Sequence, residues 1–384
     1  MRENFFSYHG FVVFFLLSFL YFSYFSSFLG FNSTVSDGVQ LVSLLLLFIF
    51  IFIKFSLIDL KKLLIFLLVF AALLVFYLPV ILNYKFVFDL DKTLNFFLIY
   101  FACGCIGIYL ATSKFNINLL NRGLFFLSSI FVILTLIFGD YSSSGTSRVV
   151  LSDLNPIWNA RFLGICLLYV LIQVFVFRRV KLLYIFLALL ATYTLINTGS
   201  RGPMVSVVFS FIFICIFFNL KSKGKFIVFL KSGIIFLISY FYISVYTDIL
   251  YRLDFLEISS GRTILHEFAV KLFLLNPFGL GLGGFGREFN VKGLSYPHNI
   301  ILESLVETGF LFTFAFFSII FYAFKKGMAL TKDDSNSYIF LFSLFIYSFV
   351  NSMFSGDLTS PKELYILIFF YIFSLKNKVY HQND

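Results

Sequence analysis

Charged side chains are scarce in this chain: Lys, Arg, Asp and Glu make up 12% of 384 residues, while 60% are hydrophobic. That leaves too few polar groups to cover the surface of a water-soluble fold. Mean hydropathy is +0.97, so lipid rather than water is the main solvent. Cysteine is limited to Cys103, Cys105, Cys166 and Cys215. All four fall in apolar runs, where they act as small hydrophobes, and no disulfide framework or metal set is implied. A single tryptophan stands against 61 phenylalanines and 22 tyrosines. Any large apolar side chain satisfies a lipid-facing position, so this bias reflects a codon pool as much as a mechanism. The chain has no Ser-His-Asp order, no Cys/His zinc spacing and no P-loop. It also lacks internal repeats and low-complexity linkers, which predicts one transmembrane domain over 1–384.

What is present is a series of apolar runs. A bilayer core takes roughly 20 apolar residues per helix. About twelve helices are predicted, over 11–29, 39–57, 63–82, 94–112, 123–138, 162–177, 182–198, 203–219, 226–246, 299–324, 338–355 and 363–375. The first has no small-residue cleavage pattern and reads as a retained helix. The fold class is therefore all-α and polytopic. The net charge of +10 is spread over short loops rather than gathered on one face, which argues for a membrane and against nucleic acid as partner. With a cytoplasmic N-terminus, most of the basic residues, among them Lys61, Lys62, Arg178, Arg179, Lys325 and Lys326, fall inside. Both termini are then cytoplasmic. Two longer segments are left outside, 139–161 and 247–297, and chemistry is expected there. Nucleotide sugars and ATP are cytoplasmic, so an outer-face enzyme needs a donor already activated, such as a lipid diphosphate sugar.

Three constellations could carry that chemistry. The first is the polar hairpin Asn197-Thr198-Gly199-Ser200-Arg201-Gly202-Pro203. An interfacial arginine can simply snorkel to lipid headgroups. Pro203, however, opens the next helix, so its positive end and the Arg201 guanidinium point at one place suited to phosphate. The second is the cationic outer loop with Arg252, Arg262, Lys271, Arg287 and Lys292. Each could pair with neighbours such as Asp248, Asp254, Glu257, Glu267 or Glu288, but the excess over the whole loop favours an anionic ligand. The same loop holds Gly281 to Gly286, formally G-x-G-x-x-G. A dinucleotide fingerprint needs a βαβ unit around it, so these glycines read instead as a turn that brings main chain close to a ligand or a helix.

The third is Tyr296-Pro297-His298-Asn299, just before a helix that carries Glu303 and Glu307 one turn apart. A histidine here titrates near neutrality and suits proton removal from a sugar hydroxyl, against the plainer reading of a capping or packing residue. His266, among apolar neighbours, reads as structural. Asp89 and Asp91 resemble a D-x-D, but two acids are a common accident and no metal role is assigned.

These stretches resemble the bacterial O-antigen polymerase and O-antigen ligase superfamily. Arg201 to Val205 is similar to its R-x-x-x-[LV] element. Gly261-Arg262, Asn276-Pro277 and Gly279 to Gly286 resemble its large periplasmic loop. His298-Asn299 followed by Gly309 resembles H-N-x₉-G-x-x-[GTY], with Phe312 departing from the last position. Ser355 to Leu358 extends the likeness toward the C-terminus.

The resemblance implies a twelve-helix, GT-C-like membrane glycosyltransferase architecture with a large periplasmic loop, working without a metal or other cofactor. The donor and acceptor would be glycans on undecaprenyl diphosphate, with a chain-length regulator protein as a further partner. Arg201 and Arg262 would hold the diphosphate, with Arg287 a further candidate, and His298 would deprotonate the acceptor. Ser200, Asn299, Gly281, Gly283 and Glu303 would support the site. The polymerase activity is favoured. The ligase, which hands the glycan to lipopolysaccharide core, is the alternative, and a flippase for the same lipid-linked sugar is a third reading. The location implied is the bacterial inner membrane, with a periplasmic active site.

Overall fold

The computed structural model describes residues 8–53, 57–83, 89–112, 115–140, 149–151, 155–218, 261–290, 295–333 and 337–374. They are all-α apart from one two-residue ladder, in which Gly139 pairs with Leu151 and Asp140 with Val150. In chain order the helices are α1 (Tyr8–Phe28), α2 (Ser33–Ile53), α3 (Leu57–Ile81), α4 (Leu90–Thr112), α5 (Ile117–Phe138), α6 (Pro156–Leu171), α7 (Leu182–Asn197) and α8 (Arg201–Phe218). They continue with α9 (Gly261–Leu275), α10 (Gly284–Phe289), α11 (Ile300–Asp333), α12 (Ser337–Ser352) and α13 (Lys362–Phe373). Among the described residues, seven helices are long and apolar enough to cross a membrane, and α7, α8 and α12 are shorter apolar helices. The protein is an all-α polytopic membrane protein.

The apolar runs and the helices coincide because a chain in lipid has to satisfy its backbone groups within each segment. The predicted helix 226–246 lies outside the described residues, as do Arg252, Lys292, Asp248, Asp254 and Glu257. Two boundaries shift in an instructive way. The helix expected from residue 162 starts at Pro156, because Asn155 caps it and proline fits its first position. Arg161 is thereby moved from a loop onto α6. The run to residue 177 is completed by a π-helical turn, Ile172–Val176. The segment 247–297, read as an outer loop, contains α9 and α10.

The chain forms two compact units, the first comprising 1–47, 116–259 and 336–355, the second 48–115, 260–335 and 356–384. In the first, α5, α6 and α1 meet through aromatic rings: Phe131 stacks on Phe162 with centroids 4.6 Å apart, and Tyr21 meets Phe162 edge-on at 4.3 Å. In the second, α4 lies against α13 along a stripe of small residues. A Cβ at Gly107 would come 2.9 Å from the Phe370 nitrogen, and one at Gly104 would strike the Phe66 ring. Close backbone approach of this kind is how apolar helices gain van der Waals contact where lipid gives no hydrophobic drive. Cys103 and Cys105 on the same helix are buried and free, as are Cys166 and Cys215.

Candidate functional site

In the second unit the site is built on the head of α11. Asn299 caps that helix: its Oδ1 accepts from the amides of Ile301 at 3.0 Å and Leu302 at 3.2 Å. The preceding residue, His298, adopts φ +57°, a left-handed conformation that non-glycine residues rarely hold. Such strain persists only where the surroundings over-determine it, and it clusters at functional sites. The His298 ring lies edge-on to Tyr296 at 4.4 Å, and its buried Nδ1 has no hydrogen-bond partner among the described residues. His266, on α9, hydrogen-bonds to the carbonyl of Pro297.

Arg262 on α9 acts electrostatically on both imidazoles. Partial burial, then the charges of Arg262 and His266, hold His298 below the usual histidine range. His266 is lowered too, chiefly by burial. A neutral imidazole near a guanidinium has the chemistry of a base next to an anion receptor.

Beneath this head, α11 is broken. Gly309 has φ +74° and ψ 172°, outside helical values. The glycine segment of 277–281 is hydrogen-bonded into the break: Leu280 N–H donates to Val306 C=O and Gly281 N–H to Glu307 C=O, both at 2.9 Å, while Phe310 N–H donates to Pro277 C=O at 3.0 Å. Gly279, Gly281 and Gly283 all have φ near +90°. The glycines are thus a turn against a helix, one of the two roles the sequence allows, and among the described residues no sheet surrounds them. Gly283 is the N-cap of α10, and α10 ends with exposed Arg287.

Glu303 and Glu307 are both fully buried. Lys92 of α4 reaches between them, 2.7 Å from Glu303 Oε1 and 2.8 Å from Glu307 Oε2. Sequence reasoning missed Lys92, yet the signal was there. Two acids one turn apart inside an apolar run must find a cation, and Lys92 opens another such run. Asp89 accepts from the Lys92 amide at 2.9 Å and caps α4. Among the described residues no group of His, Cys, Asp and Glu is placed to hold a metal. Phe312, where the motif departs, is buried against Phe96 and Tyr77, with centroids 6.2 and 6.0 Å away.

In the first unit, the hairpin of α7 and α8 is tight. Gly199 has φ +61°, Thr198 Oγ1 donates to Leu195 C=O at 2.7 Å, and the Ser200 amide donates to Thr198 Oγ1 at 3.3 Å. Ser200 is buried, and Arg201 is the first residue of α8. A Cβ at Gly202 would lie 2.7 Å from that of Phe354, so only glycine lets the Phe354-Ser355 turn sit over the start of α8. Arg161, which the sequence reading passed over, fastens this turn: its Nη2 donates to Ser355 C=O at 2.8 Å and to Ser355 Oγ at 2.9 Å.

The second unit therefore gathers His298, Arg262 and His266, with Asn299 as cap and Gly281 and Gly283 as turn glycines. Arg287 is exposed, and Ser200 and Arg201 belong to the first unit. Residues 186–317 match a family model described as O-antigen ligase. A search of curated proteins finds no match. The matched stretch runs from α7 through the Ser200-Arg201 hairpin, Arg262, the glycine turn and His298 to just beyond the break at Gly309, so over about a third of its length the chain is similar to the O-antigen ligase family.

Proposed function

We propose that the protein is a glycosyltransferase that joins undecaprenyl-diphosphate-linked repeat units on the periplasmic face of the bacterial inner membrane, an O-antigen polymerase with both termini cytoplasmic. The observation that carries this reading is His298 held in a left-handed conformation with Arg262 acting on it. In the transfer, the acceptor hydroxyl oxygen attacks the anomeric carbon of the donor sugar and gives its proton to His298. The bond from that carbon to the diphosphate breaks, and the electron pair leaves on the diphosphate oxygen. Arg262 stabilises the charge that develops there, which is where a fixed guanidinium lowers the barrier most. Arg201 at the head of α8 is proposed as a second diphosphate ligand and Arg287 as a weaker one. No metal is invoked, since guanidinium groups supply the positive charge.

The ligase is the second reading, favoured by the description of the matching family model. The Ser355-Gly356-Asp357-Leu358 stretch and the extreme apolar bias lean toward the polymerase. The match gives a flippase no support. Product analysis in polymerase-deficient and ligase-deficient cells separates the two enzymes: ladders restored only in the first background support the polymerase, and only in the second the ligase. Purified protein with synthetic lipid-diphosphate repeat units tests the enzyme class itself. Chain elongation supports the reading, while transbilayer movement without turnover contradicts it. A chain-length regulator is the partner a polymerase would need.

A further inference from the structure

The segment 261–281, which reads in sequence as part of a water-exposed loop, is tied along the side of α11. At its upper end His266 hydrogen-bonds to Pro297, just before that helix begins. At its lower end Pro277, Leu280 and Gly281 hydrogen-bond to Phe310, Val306 and Glu307. Lys325 and Lys326 mark the far polar end of the span. Counting roughly 20 apolar residues back from them puts the near edge of the hydrocarbon at about residue 305. The lower tie is therefore below that edge.

The side chains agree with this depth. One face of α9 packs Leu265, Ala269 and Leu272 on Leu280, Phe285 and Val306. The opposite face carries Glu267 and Lys271 midway but ends in Leu274 (71% exposed) and Leu275 (73% exposed), followed by Phe278. Phe278 meets Phe310 of α11 at 5.7 Å, and Phe314, one turn further down, is 77% exposed. The exposed end of α9 is thus continuous with the lipid-facing side of a spanning helix. The irregular backbone at this level, Gly279 to Leu282, is buried in protein, the condition under which bilayer depth tolerates it.

We infer that residues 261–281 form a re-entrant segment: α9 descends into the leaflet on the His298 side, and Leu274, Leu275 and Phe278 are in contact with bilayer acyl chains. This is independent of which glycan is transferred. It follows that Arg262 and His266 are carried on a helix anchored in lipid rather than on a free loop.

The test uses full-length protein in phospholipid vesicles with Trp158, the single native tryptophan, replaced by phenylalanine. A reporter tryptophan is then placed by Leu275→Trp, Phe278→Trp or Glu267→Trp in separate variants, with helicity checked by circular dichroism. Lipids brominated midway along the acyl chain are expected to quench the reporters at 275 and 278 several-fold more than that at 267, and aqueous acrylamide to show the reverse order. Quenching of 275 and 278 by acrylamide but not by bromolipid would overturn the inference. Quenching by neither, the mark of burial against protein, would overturn it too. If one of the two deep variants fails to fold, the other gives the reading.

Discussion

Gly279 and Gly309 meet backbone to backbone: a Cβ on Gly279 would come 2.6 Å from the Gly309 nitrogen, and both residues have φ between +70° and +95°. Neither position has room for a side chain or tolerates one conformationally. Gly309→Ala and Gly279→Ala are each expected to destabilise the protein by more than about 1 kcal/mol, from the left-handed conformation alone. The contact adds to this at both sites. Thermal unfolding in detergent checks it, with Gly38→Ala as control, where nothing lies within 4 Å.

Lys92 sets a second prediction. Lys92→Met strands the buried carboxylates of Glu303 and Glu307, and breaking a buried pair from one side costs about 3–5 kcal/mol. Combining it with Glu303→Gln and Glu307→Gln is expected to recover a large part of that loss. A triple variant as unstable as Lys92→Met would show that packing, not charge, sets the cost. Melting temperatures of the parent, Lys92→Met and the triple variant decide.

The pH dependence follows from His298. A histidine base works only when neutral, and burial with Arg262 and His266 nearby keeps His298 neutral to lower pH than an ordinary histidine. Transfer is therefore expected to be flat through neutrality and to fall only as pH drops below the usual histidine range. Arg262→Gln removes one positive neighbour, so protonation becomes easier and the acid limb should move to higher pH. A pH profile of kcat/KM for both proteins checks the direction.

Asp89→Ala is expected to cost about 0.5–2 kcal/mol through the lost cap of α4. Transfer by the surviving folded protein should be unchanged, and a chelator should leave the parent enzyme active. Loss of turnover on chelation would restore a metal role to Asp89 and Asp91.

Much of this was readable in the sequence, because lipid imposes one rule on every span. The runs at 182–198 and 363–375 become α7 and α13 almost residue for residue. The positions of Arg201 at a helix start and of His298 before α11 were likewise legible, since proline and an Asx cap mark such places. What failed was anything that depends on partners far apart in the chain. Lys92 is 211 residues from Glu303, and a period or a spacing carries no trace of that pairing. The outer loop hid two helices for a related reason. Gly261–Leu275 is too short to count as a span, and the backbone bonds that tie the following residues 277–281 to α11 leave no trace in a hydropathy pattern.

The central claim is that His298 is the base of a transfer from a lipid diphosphate donor, and its most direct test is turnover of synthetic undecaprenyl-diphosphate repeat units by purified His298→Ala. A loss of at least about 10²-fold in kcat, with the melting temperature unchanged, is the predicted result. Parental turnover in a folded variant would contradict it.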